Sequence, residues 1–351
     1  YASKTSGKVV LAWSANIRAT ADIPCDSCSN SNAVLAQWDN DVYIKTSTDA
    51  GATWGPKRNI TKNLDGVAGY RAYYDLSVMI DETDQVVMAW PTRQWPSNAN
   101  QGGDISQDRC RIHFWRESFA PGVIRTVAGL EWDQTDCDLG AFKLNAGRIQ
   151  VARCDGRTYV LWEQGNDNSA GIMNDCASRA YTSGPAGAAN SDLYVSVSED
   201  DGLTWDPARN ITNTRTGGCD SAAGAGGACQ SEVYPTLTPN GHNYTGNFGA
   251  GGLQIPIVLP GTAGSNNGYY LECQYILDPH AGGAIRPEGP WFLADVMWTR
   301  IECDTSVKTP VFTGSYSSIE FPAYVKHGQF RDTAFTIENT GNQHLTYSVS
   351  K

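Results

Sequence analysis

Short apolar runs separated by polar, glycine-rich stretches dominate the chain, and no segment holds a 3.6-residue apolar period over the length of a helix. Lys8-Val-Val-Leu-Ala-Trp13, Val87-Met-Ala-Trp90 and Val160-Leu-Trp162 read as apolar strands that end in Trp. Asp192-Leu-Tyr-Val-Ser-Val197 alternates apolar with polar side chains, as a half-buried strand does, and runs into a tight turn before the next strand. The pattern predicts an all-β protein built from repeated antiparallel units.

The units recur. Asp41-Val-Tyr-Ile-Lys-Thr-Ser-Thr-Asp-Ala-Gly-Ala-Thr-Trp54-Gly-Pro-Lys-Arg-Asn-Ile-Thr61 aligns without a gap on Asp192-Leu-Tyr-Val-Ser-Val-Ser-Glu-Asp-Asp-Gly-Leu-Thr-Trp205-Asp-Pro-Ala-Arg-Asn-Ile-Thr212, at an offset of 151 residues. Upstream, Lys8 to Trp13 matches Thr158 to Trp162. Downstream, Tyr73-Tyr-Asp-Leu-Ser-Val78 loosely matches Val233-Tyr-Pro-Thr-Leu-Thr238. Each copy spans two sheet units, which gives four of them over residues 1–66, 67–147, 148–216 and 217–303.

Composition narrows the class. Over 351 residues, 37 acidic against 26 basic side chains give a net charge of -11, so no field draws phosphate backbones or anionic lipid, and no nucleic-acid partner is expected. No run of 18 apolar residues occurs, so no membrane span is expected. Ten cysteines, Cys25, Cys28, Cys110, Cys137, Cys154, Cys176, Cys219, Cys229, Cys273 and Cys303, lie in polar surroundings without paired zinc-site spacing. They read as disulfides of a secreted or cell-surface protein. Pairing of near neighbours is expected, Cys219 with Cys229 and Cys154 with Cys176.

In the turn Ser-x-Asp-x-Gly-x-Thr-Trp the Asp accepts backbone N–H groups, Gly supplies positive φ, the hydroxyls add local bonds and Trp packs the hairpin on its sheet. Ser47, Asp49, Gly51, Thr53 and Trp54, and again Ser198, Asp200, Gly202, Thr204 and Trp205, fit this pattern. Both segments resemble the Asp-box of the sialidase (BNR-repeat) superfamily. The resemblance implies a β-propeller of four-stranded blades over residues 1–303. A sialidase has six blades, against four recognisable here. Residues 1–7 leave no room for an innermost strand of the first blade, which implies either completion from the C-terminal side or sequence preceding Tyr1.

Residues 304–351 differ in character. Thr333-Ala-Phe-Thr-Ile-Glu-Asn-Thr-Gly341 and its surroundings look like the opening strands of a bacterial Ig-like sandwich. They supply half the strands such a sandwich needs, which implies a longer protein or, alternatively, strands donated by another chain in a self-assembly.

A sialidase resemblance also implies three arginines gripping a carboxylate, a Tyr/Glu nucleophile pair and an acid Asp, the first arginine in an Arg-Ile-Pro context. Here Arg18 and Ile23-Pro24 are separated, so that motif is not matched. Arg71, Arg93, Arg148, Arg300, Tyr269 and Glu272 supply the residue types without a distinguishing spacing. Two long connections, residues 14–40 and 163–191, offer candidate ligand groups in Arg18, Asp22, Trp38 and Asp39, and in Asn166, Asp167, Asp175 and Arg179. Asn166-Asp-Asn-Ser and Asp81-Glu-Thr-Asp84 carry oxygens of the kind Ca²⁺ takes, but neither has the spacing of a twelve-residue loop, and no cofactor or metal is expected. Asn59, Asn210 and Asn243 open glycosylation sequons. The expectation is a non-catalytic module that binds a glycan or an extracellular protein, or serves structurally, in a cell-surface or extracellular assembly. The alternative is an exo-acting glycoside hydrolase resembling a sialidase.

Overall fold

Among the described residues from 9 to 303, four antiparallel sheets follow one another, each laid down by consecutive strands. The computed structural model describes residues 1–16, 40–64, 69–95, 109–131, 137, 145–165, 175–176, 188–219, 229–245, 267–279, 294–303, 312–313 and 338–339. Among these residues there is no helix, and hence none long and apolar enough to cross a membrane.

The first sheet joins β1 (Val9–Asn16), β2 (Asn40–Ser47) and β3 (Arg58–Asn59). The second pairs both β4 (Gly69–Ala72) and β5 (Ser77–Ile80) with β6 (Val86–Trp95), followed by β7 (Arg109–Arg116) and β8 (Arg125–Glu131). The third runs β9 (Ala146–Cys154), β10 (Arg157–Gly165), β11 (Ser191–Ser198), β12 (Arg209–Asn210). In the fourth, β13 (Ser231–Leu237) and β14 (His242–Thr245) pair with β15 (Asn267–Asp278), which pairs with β16 (Asp295–Cys303). Successive sheets touch through strands near their starts, β5 with β9 and β9 with β13, the arrangement of β-propeller blades. By internal contacts, residues 1–257 and 266–303 form one unit and residues 258–265 and 304–351 another. In the second unit, β17 (Phe312–Thr313) pairs with β18 (Glu338–Asn339).

Apolar faces meet between the sheets. Val10, Ile44, Ile80, Met88 and Trp90 form one core, and Met79, Phe114, Val151, Val160 and Trp162 another. Trp90 and Trp162 are fully buried, but neither ends its strand: β6 and β10 each continue beyond it. The duplication is visible in side-chain pairing. Trp13 lies opposite Tyr43 and Trp162 opposite Tyr194, and the rings stack at 5.9 and 6.2 Å.

The two Ser-x-Asp-x-Gly-x-Thr turns have the same hydrogen bonds. Ser47 Oγ donates to Asp49 Oδ1 at 2.7 Å while accepting from Gly51 N–H at 2.9 Å. Thr53 donates to the same carboxylate through N–H at 2.8 Å and Oγ1 at 2.5 Å. In the second copy the corresponding distances for Ser198, Asp200, Gly202 and Thr204 are 2.8, 2.7, 2.8 and 2.6 Å. Both glycines have φ of +91°. The Trp positions differ: Trp205 packs on Phe114 of β7 at 4.9 Å, whereas Trp54 is 37% exposed. Asp201 ties the second turn to the second sheet by an ion pair to Arg116 of β7 and, at 2.8 Å, to its own sheet by one to Arg153 of β9.

Three disulfides form, Cys137–Cys176, Cys154–Cys303 and Cys219–Cys229. The last is as expected. Cys154 is not joined to Cys176: it sits at the end of β9, where the fourth sheet brings up Cys303 from β16, while Cys176 meets Cys137. Cys110 and Cys273 are buried thiols, against the expectation that all ten cysteines pair. Each is a core side chain of a middle strand, Cys110 on β7 and Cys273 on β15. Cys25 and Cys28 lie outside the described residues.

Candidate functional site

In the first strands of the third and fourth sheets, backbone irregularities turn side chains toward one another and toward the connection from β4 to β5. Arg148 of β9 and Tyr234 of β13 both have φ of 54°, the left-handed region that non-glycine residues seldom occupy. Each sits at a register shift, between β9 and β10 in one case and β13 and β15 in the other. The turn at Tyr234 is held from the neighbouring sheet, because its N–H donates to Glu163 Oε2 of β10 at 2.8 Å. At Arg148 the backbone N–H donates to Asp75 Oδ2, in the connection from β4 to β5.

The side chains then form a ladder. The Arg93 guanidinium lies 4.7 Å from the Tyr73 ring, and Tyr73 meets Tyr74 edge-on at 4.6 Å. The Arg148 guanidinium lies 5.1 Å from the Tyr74 ring and 4.6 Å from the Tyr234 ring. Tyr74 and Tyr234 are 37% and 55% exposed, so a wet aromatic surface flanks the cation. Gly147 makes the packing feasible, since a Cβ there would lie 2.7 Å from Tyr74 Oη.

Burial raises the Asp75 pKa above the ordinary carboxylate range; the Arg148 charge and N–H pull it back, and Glu163 pushes it up again. For Arg148, burial works against the charge but Asp75 and the surrounding tyrosines outweigh it, and its pKa rises. Beside them, Arg71 of β4 lies directly opposite Arg93 of β6, and both are buried, at 3% and 6% exposure. Like charges placed face to face in a sheet work against stability, and such conflicts are characteristic of functional sites. Arg71 also donates to the Leu64 carbonyl at 2.9 Å. The arrangement can hold an anion among arginines, stack a ring on Tyr74 or Tyr234, and deliver a proton from Asp75.

Of the residues singled out from sequence, Arg71, Arg93 and Arg148 come together here. Arg300 does not: it lies on β16, 3.7 Å from Glu272 and 4.6 Å from the Trp298 ring, with Tyr269 on the strand between. Arg18, Asp22, Trp38, Asp39, Asn166, Asp167 and Arg179 lie outside the described residues. Asp175 is fully buried and accepts from Asn190 Nδ2 at 3.1 Å and Thr216 N–H at 3.2 Å. Asp81 is taken up by Thr83, Gln85 and Arg116. No group of three His, Cys, Asp or Glu able to hold a metal occurs among the described residues.

The sequon amides are engaged as well, Asn59 Nδ2 donating to Asp41 and Asn210 Nδ2 to Asp192. Asn243 lies on β14. Sequence reasoning missed Tyr74, Asp75, Glu163 and Tyr234. One signal was present: the loose match of Tyr73-Tyr-Asp75 with Val233-Tyr-Pro235 puts Tyr74 and Tyr234 at corresponding places.

No protein-family model and no curated protein matches the chain. Among solved structures, the Cellvibrio cellulosa alpha-L-arabinanase is similar with a TM-score of 0.33 at 10% identity, over 85% of this chain and 70% of that one. A thermostable family-43 glycoside hydrolase gives a TM-score of 0.33 at 10% identity over 77% and 70%. The intramolecular trans-sialidase from Ruminococcus gnavus gives 0.21 at 13% identity, over 88% and 60%. These likenesses are of strand architecture. The expectation of a non-catalytic module is corrected: the similar structures are glycoside hydrolases, in keeping with the hydrolase alternative, and the expectation had found no converging site because Asp75, Glu163 and Tyr234 carry no motif.

Proposed function

We propose that the chain is a secreted glycoside hydrolase of the propeller class, acting at the end of an acidic glycan, with its active site at the Arg93 to Tyr234 ladder. The convergence of Asp75, Arg148, Glu163 and Tyr234 from three sheets, beside the opposed Arg71 and Arg93, carries this reading. Asp75, whose pKa burial raises, serves as the proton donor to the leaving oxygen. Glu163 and Tyr234 form the Tyr/Glu pair, the Glu163 carboxylate fixing the Tyr234 backbone while the tyrosine faces the sugar with its ring and hydroxyl. Arg71, Arg93 and Arg148 favour a sugar carboxylate. The two Asp-box turns, the Ig-like reading of residues 304–351 and the number of blades are part of the proposal, and the three disulfides fit export.

A panel of fluorogenic glycosides tests it. Release of fluorophore from a sialoside or a uronide, with an arabinofuranoside and a neutral hexoside left intact, is the expected outcome. Cleavage of the neutral substrates alone would remove the role given to the arginines.

A further inference from the structure

The seam between β11 and β13 holds two carboxyl groups almost without access to water, Asp192 at 0% and Glu232 at 2% exposure. Thr214 Oγ1 lies 2.9 Å from Asp192 Oδ1, and 3.0 and 2.9 Å from the two Glu232 oxygens. A hydroxyl carries one hydrogen and cannot donate to both groups. With both ionised, one carboxylate would face the lone pairs of the Thr214 oxygen, and two like charges would meet in a dry seam. One shared proton resolves this: Glu232 donates to Thr214 Oγ1, which donates to Asp192, which accepts also from Asn210 Nδ2 and, at 3.3 Å, from Thr214 N–H.

The other half of the duplication supplies the contrast. Asp41 corresponds to Asp192 and Asn63 to Thr214, and Asn63 Nδ2 donates to Asp41 at 2.8 Å. Asp41 takes further bonds from Asn59 and Thr61, and none of these partners is a carboxyl group. The second carboxyl is an addition to a shared framework. Burial first, then the charge and hydrogen bond of Asp192, push Glu232 up to about 8, and burial raises Asp192 as well.

We propose that the proton shared by Asp192 and Glu232 latches β13 in place, and that its loss above neutral pH unseats Tyr234 and turns the site off. The second half of this rests on the active-site reading above. Glu232 and Tyr234 are two residues apart on β13, at the register shift that turns Tyr234 toward Arg148. Facing this stretch are Asp192 on β11, Thr214, Tyr275 on β15, whose hydroxyl burial and the Glu232 charge hold at about 12, and, at Tyr234, Glu163 on β10 and Arg148 on β9. Asp192, Thr214 and Tyr275 bring no positive charge to the ionised pair. Because the folded state keeps a proton that the unfolded chain releases at the ordinary Glu value, stability falls as pH rises from that value toward 8.

The test is hydrogen exchange of residues 231–237, read as protection factors at pH 7 and pH 9, in the wild type and in Glu232→Gln. The amide of the variant donates to Thr214 but does not titrate. Protection in the wild type is expected to drop about tenfold or more at pH 9 and to stay level in the variant. If Glu232→Gln does not fold, infrared spectra of the wild type decide: the C=O stretch of a protonated carboxylic acid is expected at pH 7 and lost by pH 9. Equal protection in both proteins, or no protonated acid at pH 7, overturns the latch. Neither readout involves glycoside turnover, so failure of the latch and failure of the active-site reading are separate results.

Discussion

At the scale of single residues, the site depends on where glycine is and where it is not. Gly147 leaves room for the Tyr74 hydroxyl, so Gly147→Ala, with its Cβ 2.7 Å from Tyr74 Oη, displaces the ring. Turnover is expected to fall at least tenfold with a melting temperature within a few degrees of wild type, checked by fluorogenic assay beside thermal denaturation. Gly202 is constrained differently. Its φ of +91° and a Cβ position 2.0 Å from the Phe114 ring predict that Gly202→Ala destabilises by about 2 to 3 kcal/mol in denaturant titration. The Gly51 and Gly202 requirement was legible in sequence, because the turn motif names it. The left-handed Arg148 and Tyr234 were not, since neither residue type advertises positive φ and both are held by partners from neighbouring sheets, Asp75 and Glu163.

Among elements, the two duplicated hairpins share one hydrogen-bond plan and dock differently. Ala50 in the first turn stands where Asp201 in the second reaches Arg116 of β7 in the second sheet and Arg153 of β9 in its own. Asp200→Ala removes bonds to Ser198 and to Thr204 N–H and Oγ1, and is expected to cost about 1 to 2 kcal/mol in chemical denaturation. Hydrogen bonds from Ser47 and Thr53 lower the Asp49 pKa to about 2, and for Asp200 bonds from Thr204 and Ser198 outweigh burial and lower it too. A depressed folded-state pKa gives stability that is present above the ordinary Asp value and lost as pH falls through the folded one, so acid unfolding is expected to extend toward pH 2, followed by circular dichroism. The strands themselves were legible from alternation and Trp positions. Their ends were not, because β6 and β10 run on past Trp90 and Trp162.

For the molecule as a whole, duplication revealed the repeated sheets, while the connections between sheets left no sequence trace. Cys154 and Cys303 are 149 residues apart and join β9 to β16, a pairing that neighbour spacing does not suggest and that the meeting of third and fourth sheets explains. Closing so long a loop constrains the unfolded chain strongly, and the Cys154→Ser, Cys303→Ser double variant is expected to lose roughly 3 to 5 kcal/mol in denaturant titration. The active-site reading has the same origin, since its members come from β4 to β5, β9, β10 and β13 and are contiguous only after the sheets pack. The central claim is that this convergence is catalytic. The most direct measurement is the turnover number on a fluorogenic acidic glycoside for the wild type and for Asp75→Asn, which keeps the shape of the side chain and removes its proton. Measurable turnover by the wild type, declining as pH rises through the elevated Asp75 pKa and reduced at least a hundredfold in the variant, is the predicted result; equal turnover by both proteins, or none by the wild type, contradicts it.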